Sequence, residues 1–254
     1  MLRNTPIVAV NTRDFGGRGT TVFFISTNNK LSYITRASDH SPWSLGSQNL
    51  PIAGSVRHMT AASWKNTNSN PAYSIWYSDR NGKVYSWRYD KTGNWNVDGE
   101  QIGVTVSGPF TVSVQPDHLT TDLYTSTGDH WKRIGAAGSA WTLQNSFTTW
   151  GKSHLFNGIS GGVLPWDTTQ AKFYFSRQES QALVEGVVNV NSKNLKIDHV
   201  FGTSPAVGTN TVTAMYQNPN GKFINVFTMT EDGVVSTVSA DGGSKWWPSV
   251  AVQA

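Results

Sequence analysis

The chain of 254 residues contains no cysteine, which excludes disulfide bonds, zinc–thiolate sites and thiol nucleophiles. Charged residues make up only 14% of the chain, and no segment shows the apolar period of an amphipathic helix. No apolar run is long enough to span a bilayer, and no signal peptide is visible. We therefore expect short strands, no membrane insertion, and a protein that is cytoplasmic or exported by a non-classical route.

Charge of either sign is also dispersed along the chain. The 20 basic and 16 acidic residues give a net charge of +4, and no basic run is longer than Lys132-Arg133. Nucleic-acid binding needs a concentrated basic stripe, so we expect no nucleic-acid partner. The six histidines are scattered without the spacing of metal ligands, and we predict neither a metal site nor a cofactor.

The stretch from residue 73 to residue 95 shows the pattern of a β-meander. Residues 73–78 and 84–89 are rich in aromatic and β-forming side chains, and the second segment alternates strictly between two faces. Asn81-Gly82 between them predicts a hairpin with a two-residue turn, because both residues tolerate a positive φ. Trp95 then opens a further short strand.

Weaker copies of this pattern recur along the chain. Each copy but one ends in a marker tryptophan, and these are Trp43, Trp95, Trp141 and Trp246, separated by 52, 46 and 105 residues. A repeat of roughly fifty residues that forms a four-stranded meander is typical of a β-propeller. We predict an all-β fold, a single β-propeller domain of five blades with four antiparallel strands each, at about 6–50, 56–103, 109–150, 153–202 and 210–254. An irregular β-sandwich with chance tryptophan spacing is the alternative.

Residues 6 to 100 resemble a known family, the fungal fucose-specific lectins of the orange-peel-mushroom type. The resemblance lies in residues 7–10, 16–17, 22–24, 28–31, 42–43, 59–65, 84–90 and Trp95. It implies a β-propeller with a sugar pocket between adjacent blades, glycans or glycoproteins as partners, and self-association as a homo-oligomer.

Pockets of that family combine polar and aromatic residues. An Arg opens the second strand, a Glu lies on the third, and a Tyr and the marker Trp of the neighbouring blade stack on the sugar. Tyr89 and Trp95 match the stacking pair, and Trp43, Trp141 and Trp246 match marker positions.

The polar positions of the family are largely replaced in this chain. The Arg falls on Thr21, Ser74, Asp122, Lys172 and Asn225, and the Glu on Tyr33, Ser86, near Lys132, near Glu185 and on Ser236. Only the fourth copy keeps a basic residue and a carboxylate, Lys172 and Glu185. Because a site that hydrogen-bonds particular hydroxyls discriminates steeply once those partners change, these replacements argue against fucose specificity.

We therefore predict a lectin without catalytic activity. Its expected carbohydrate-binding residues are Tyr89, Trp95, Trp43, Trp141, Lys172, Glu185, Trp246 and Arg88. With Arg36 and Arg133, Arg88 belongs to the third strands and is a candidate to replace the missing arginine. The tryptophans equally fit blade packing, the arginines a solvated face, and the Lys172–Glu185 pair a surface ion pair.

Two other functions remain open at this point. A protein-interaction propeller that has lost its sugar pockets would also explain the replaced polar positions. A propeller glycoside hydrolase would need carboxylates that converge on one site, whereas most acidic residues here occupy turn positions.

Overall fold

The fold is described by a computed structural model, in which every regular element of the described residues is a β-strand. The described residues are 6–12, 19–36, 42–46, 50–52, 55–65, 71–89, 95–96, 102–115, 120–127, 129–135, 140–146, 159–164, 166–176, 182–190, 195–201, 211–218, 221–230, 233–239, 242–243, 245–246 and 250–251. Across these ranges, no helix has the length and apolar character needed to cross a membrane.

The strands pair in chain order into antiparallel sheets. They are β1 (Ile7–Thr12), β2 (Gly19–Ile25), β3 (Lys30–Arg36), β4 (Ser44–Leu45), β5 (Leu50–Pro51), β6 (His58–Lys65), β7 (Pro71–Ser78), β8 (Val84–Tyr89), β9 (Trp95–Asn96), β10 (Phe110–Val114), β11 (Thr120–Thr125), β12 (Asp129–Ile134), β13 (Thr142–Ser146), β14 (Ile159–Leu164), β15 (Asp167–Ser176), β16 (Leu183–Asn189), β17 (Leu195–Val200), β18 (Thr211–Asn218), β19 (Gly221–Thr230), β20 (Gly233–Ser239) and β21 (Val250–Ala251). The described strands form sheet 1 (β1–β5), sheet 2 (β6–β9), sheet 3 (β10–β13), sheet 4 (β14–β17) and sheet 5 (β18–β21).

The first strand of each sheet packs against the first strands of its two neighbours. Strand β6 contacts β1 and β10, β14 contacts β10 and β18, and β18 contacts β1. The ring therefore closes between sheets 1 and 5, and each described sheet consists of strands that are consecutive in the chain. This architecture confirms the predicted all-β propeller, while the blade count and the blade boundaries stay predictions.

Small hydroxyl residues of the innermost strands surround the axis of the ring. The hydroxyl oxygens of Thr60 and Thr111 lie 3.5 Å apart, and Thr111 also donates to the carbonyl of Gly161 at 2.8 Å. The cavity that these strands enclose has a volume of about 20 Å³, which is room for a single water molecule. A sugar is much larger than this cavity, so a sugar site in this fold would have to lie in the spaces between the sheets.

The hairpin loop of sheet 2 is longer than the predicted two-residue turn at Asn81-Gly82. The N–H of Asp79 donates to the carbonyl of Lys83 at 3.0 Å, and the N–H of Gly82 donates to the carbonyl of Asp79 at 3.1 Å. Gly82 has φ 78°, and Asn29 in the loop of sheet 1 has φ 56°, the left-handed position that a three-residue loop requires. The two-residue prediction is wrong because the Asp79 carboxylate accepts the N–H groups of Asn81 at 2.8 Å and Lys83 at 3.0 Å, which widens the turn.

Among the described residues, apolar clusters fill the spaces from sheet 1 to sheet 2, from sheet 2 to sheet 3, from sheet 3 to sheet 4 and from sheet 4 to sheet 5. Successive side chains of a strand point to opposite faces, so sheets 2, 3 and 4 each contribute to two of these clusters. Representative pairs are Phe23 and Trp87 between sheets 1 and 2, Trp76 and Leu123 between sheets 2 and 3, Tyr124 and Phe173 between sheets 3 and 4, and Tyr174 and Ile224 between sheets 4 and 5. The same alternation decides which polar side chains enter each space.

Candidate functional site

Strand register identifies three equivalent positions on each sheet, and in sheets 1 to 4 all three lie on the face toward the next sheet of the ring. The first, on the second strand, is Thr21, Ser74, Asp122, Lys172 or Asn225. The second, two residues further along, is Phe23, Trp76, Tyr124, Tyr174 or Phe227. The third, directly opposite on the third strand, is Tyr33, Ser86, His130, Glu185 or Ser236. The second position is always aromatic, whereas the first and third differ in charge from sheet to sheet.

Between sheets 4 and 5 these positions hold a buried ion pair. Lys172 Nζ lies 2.9 Å from Glu185 Oε1, with the two side chains 9% and 0% exposed. The hydroxyl of Tyr174 donates to Glu185 Oε2 at 2.6 Å. Burial, and then the neighbouring Glu185 carboxylate, raise the pKa of Tyr174 well above its ordinary value. Both oxygens of Glu185 are therefore satisfied within the protein, and the pair is not the surface ion pair that the sequence left open.

Trp246 and Gly243 of sheet 5 cover this ion pair. The ring of Trp246 meets Tyr174 edge to face, with ring centres 5.7 Å apart. A Cβ atom on Gly243 would lie 2.5 Å from Lys172 Nζ, so the backbone of Gly243 packs directly on the ammonium group. The structure thus brings together three predicted site residues, Lys172, Glu185 and Trp246, in an interface that is closed over its charges.

Between sheets 3 and 4 the acidic residue lies on the second strand and the basic residue on the third, the reverse of the arrangement in sheet 4. The Asp122 side chain, 1% exposed, lies 2.7 Å from His130 Nε2 and 3.9 Å from Lys132 Nζ. Gln115 Nε2 donates to its other oxygen at 2.6 Å. Tyr124 stacks on His130 with ring centres 4.5 Å apart, and burial, then the Asp122 charge, raise the pKa of Tyr124 well above its ordinary value. This carboxylate, like Glu185, is held by donors of its own sheet.

Between sheets 2 and 3 the equivalent positions of sheet 2 are small. Ser74 and Ser86 are both buried, and Arg88, directly opposite Ser74 in the β7–β8 pair, is half-buried. Arg88 and Ser86 lie two residues apart on β8, so both belong to the face toward sheet 3.

Sheet 3 contributes an arginine and a marker tryptophan to the same interface. Arg133 Nη2 donates to the hydroxyl of Thr121 at 3.3 Å, and its guanidinium lies 5.4 Å from the centre of the Trp141 ring. Trp141 is half-buried and packs against the apolar cluster that contains Trp76. Two of the predicted residues, Arg88 and Trp141, therefore lie at this interface, together with the Arg133 candidate.

For three further predicted residues, Tyr89, Trp95 and Trp43, a role in sugar binding stays a prediction. Tyr89 and Trp95 lie opposite each other in the β8–β9 pair, but their side chains, like that of Arg36, lie outside the described part of the chain. Trp43 is half-buried and immediately precedes β4. These assignments stay predictions.

Sequence reasoning missed Tyr174, His130 and Gln115, all of which contact a buried carboxylate. For Tyr174 and His130 the missing signal was the hairpin register, which places a third-strand residue opposite the second-strand aromatic. Gln115 follows β10, and the sequence pattern carries no sign that its side chain reaches Asp122. Among the described residues, no group of three or more His, Cys, Asp and Glu side chains could hold a metal ion.

The fold and these interfaces define a β-propeller in which aromatic and polar side chains meet between sheets. Solved structures with this fold include the fucose-binding lectin of the fungus Aleuria aurantia, at a TM-score of 0.65 and 18% identity, covering 100% of this chain and 80% of that chain. AofleA from Arthrobotrys oligospora matches at 0.60 and 13%, with coverages of 99% and 73%. The BP39L lectin of Burkholderia pseudomallei matches at 0.55 and 16%, with coverages of 100% and 72%.

The predicted resemblance to fungal fucose-specific lectins is confirmed by these structures as a likeness of fold. No family model and no curated protein sequence matches the chain. At identities below 20%, what this chain binds is a separate question.

Proposed function

We propose that the protein is a lectin, which binds carbohydrate without catalysis in pockets between adjacent sheets. The observation that carries this proposal is the interface between sheets 2 and 3, where the facing sides of the two sheets hold a half-buried tryptophan, two arginines and two small serines. An aromatic ring offers flat apolar area to a sugar at low entropic cost, and guanidinium groups donate hydrogen bonds to hydroxyls. The propeller lectins with the same fold support the assignment.

Trp141, Arg88 and Arg133 form the principal binding site in this proposal. Ser74 and Ser86 occupy the positions that Lys172 and Glu185 fill in sheet 4, so these positions hold less side-chain volume in sheet 2 than in sheet 4. Tyr89, Trp95 and Trp43 belong to further pockets of the same kind. Several weak pockets on one ring would raise affinity for a glycan-bearing surface through multivalency.

The interface between sheets 4 and 5 contributes no open pocket in this proposal. Its ammonium and carboxylate groups satisfy each other, and Gly243 covers them. We therefore expect fewer working pockets than interfaces, and a specificity that differs from fucose because the polar partners differ.

A hydrolytic function is less well supported by the described carboxylates. Glycoside hydrolysis needs two carboxyl groups that flank one glycosidic bond. The buried carboxylates of the described residues, Asp122 and Glu185, belong to different sheets, and each is hydrogen-bonded by its own neighbours.

A glycan array with the purified protein tests the proposal. We expect binding to a defined set of glycans, and a loss of about tenfold or more in Trp141→Ala, the scale on which a stacking aromatic contributes. Trp166→Ala is the matched control, because Trp166 is also half-buried but packs near the closed interface of sheets 4 and 5. It should retain binding.

Other outcomes would redirect the assignment. Unchanged binding in Trp141→Ala would remove the site from the interface of sheets 2 and 3. A blank array from folded protein would favour an interaction propeller, and release of a chromophore from aryl glycosides would favour a hydrolase.

A further inference from the structure

The cavity on the axis of the ring is lined by hydroxyl groups that do not fully satisfy one another. The first strands of the five sheets enclose it, and its described hydroxyls are those of Thr60, Thr111, Ser160 and Thr213. We propose that this cavity binds one water molecule, which links Thr60 of sheet 2 to the Ser160–Thr213 pair of sheets 4 and 5. The inference does not depend on the lectin function.

The hydrogen bonds around the cavity show which hydroxyl protons are already used. A Ser or Thr hydroxyl has one proton to donate and two lone pairs. Thr111 donates its proton to the carbonyl oxygen of Gly161 at 2.8 Å, so it has none to offer Thr60. The hydroxyl oxygens of Ser160 and Thr213 lie 2.5 Å apart, so one of them donates to the other, and the second proton of this pair remains to be donated elsewhere.

Thr60 has the weakest partner of the four hydroxyls. Its oxygen lies 3.5 Å from that of Thr111, whereas an ordinary O–H···O hydrogen bond measures about 2.5–3.0 Å. The Thr60 residue is only 6% exposed, and a buried hydroxyl that has lost its hydration needs a replacement partner. A water at hydrogen-bond distance would accept the Thr60 proton and leave the lone pairs of Thr111 free for a donor.

Strand β1 interrupts the circle of side-chain hydrogen bonds around the axis. Such bonds join β10 to β14 and β14 to β18. Strand β1 lies between β18 and β6, and it lines the cavity with Val8 and Ala9, whose side chains have no polar atom. A water that contacts Thr60 on one side and Thr213 or Ser160 on the other would span this apolar segment and complete the circle.

The size and the lining of the cavity suit one neutral molecule. Its volume of about 20 Å³ matches one water, and a buried water makes about three hydrogen bonds. Here it can accept from Thr60 and from the Ser160–Thr213 pair, and it can donate to Thr111. Hard cations prefer sites that include carboxylates, and the described lining contains none. The cavity therefore favours water over a cation.

A high-resolution crystal structure of the full chain tests the proposal. We expect one isolated density peak on the axis, about 2.6–3.2 Å from Thr60 Oγ1 and from the hydroxyl oxygen of Ser160 or Thr213. An empty cavity overturns the inference, and so does a row of waters that continues to the surface. A peak with five or more oxygen contacts at about 2.3–2.6 Å would identify a cation, which also overturns it.

Variants of Thr60 show whether its hydroxyl holds the water. Thr60→Val should abolish the peak and lower the melting temperature by about 2–4 °C, the shift for one lost hydrogen bond in a domain of this size. Thr60→Ser keeps the hydroxyl and should keep the peak. A peak that persists unchanged in Thr60→Val overturns the proposed link between sheets 2 and 5.

Thr228→Val is the matched control for the melting temperature. Thr228 is 2% exposed, and its hydroxyl has no hydrogen-bond partner within the described chain. The same chemical change should therefore leave the melting temperature unchanged or raise it, because no hydrogen bond is lost. An equal decrease in Thr60→Val and Thr228→Val would show that the loss comes from replacing a buried threonine, and it would overturn the role given to the Thr60 hydroxyl.

Discussion

The interface between sheets 4 and 5 and the interface between sheets 2 and 3 use equivalent positions in opposite ways. In the first, Lys172 and Glu185 form an ion pair that Gly243 and Trp246 cover. In the second, Ser74 and Ser86 occupy the same positions, and the cationic groups lie on the third strands. Lys172 and Glu185, the pair most similar to the polar pair of the lectin family, are thus the pair that the fold buries.

The difference separates a structural use of charge, between sheets 4 and 5, from the binding use that we propose between sheets 2 and 3. A buried ion pair can be stable only if both partners are also hydrogen-bonded, and Tyr174 supplies the second bond to Glu185. A ligand would have to break these contacts to enter. Changes at the closed interface should therefore alter the free energy of unfolding, whereas changes at Arg88 or Arg133 should alter binding.

The largest expected effect is that of Lys172→Met. Removing the ammonium leaves the Glu185 charge buried, which costs about 3–5 kcal/mol in the free energy of unfolding. Urea unfolding followed by fluorescence measures this cost. The double variant Lys172→Met with Glu185→Leu is the control and should recover most of the stability, because it leaves no buried charge. A cost below about 1 kcal/mol for the single variant would show that the pair is solvated, and would reopen this interface as a pocket.

The second effect is a loss of folding stability at low pH, caused by His58 on β6. Burial, and then the charge of Arg57, lower the pKa of His58 to about 4, and neither ring nitrogen has a hydrogen-bond partner among the described residues. Because the folded pKa lies below the unfolded value near 6.5, the unfolded state takes up the proton first. The stability from neutral His58 is complete above about pH 6.5 and is lost as the pH falls to 4, by about 3 kcal/mol.

Comparison of the wild type with His58→Leu measures the His58 contribution. The free energy of unfolding should fall less steeply between pH 7 and pH 4 in the variant, because its leucine has no proton to bind. Equal slopes in the two proteins would mean that His58 titrates normally in the folded state.

Much of the fold could be predicted, because its signals are local and repeated. Alternating aromatics such as those of β8, and a marker tryptophan that ends every copy but one, recur often enough to define the repeat. The turn at residues 79–83 was predicted less well, because one carboxylate, that of Asp79, outweighed the Asn-Gly signal.

The site could be predicted only in part, because burial is a property of the whole ring. Lys172, Glu185 and Trp246 do meet, as the family pattern implied. Their closure depends on Gly243, which is 58 residues beyond Glu185 in the chain, and no local pattern indicates that its backbone packs on an ammonium group. The Asp122 cluster was missed because acid and base are exchanged between the strands.

The third effect is expected for Gly243→Ala, which changes the residue whose backbone packs on the Lys172–Glu185 ion pair. Gly243 has φ 92°, and its new Cβ would lie 2.5 Å from Lys172 Nζ and 3.2 Å from Glu185 Oε2. We expect a loss of about 2–3 kcal/mol in the free energy of unfolding, from left-handed strain and from crowding of the ion pair.

Gly103→Ala separates the two causes of that loss. Gly103 has φ 76° but no atom within 4 Å of the added Cβ, so it should cost only the backbone strain of about 1 kcal/mol. Equal losses in the two variants would show that the segment at Gly243 does not press on the ion pair.

The smallest effect is expected at an ion pair on the outer strand of sheet 4. Lys196 Nζ lies 3.4 Å from Asp198 Oδ1, with side chains 79% and 44% exposed. Water screens both charges, so Lys196→Met should change the free energy of unfolding by no more than about 0.5 kcal/mol in the same urea experiment. The chemical change is identical to that in Lys172→Met, and only the burial and the hydrogen-bond partners differ. A loss at Lys196 as large as that at Lys172 would mean that removal of any lysine carries this cost. The loss at Lys172 could then not be attributed to a buried carboxylate left without its partner.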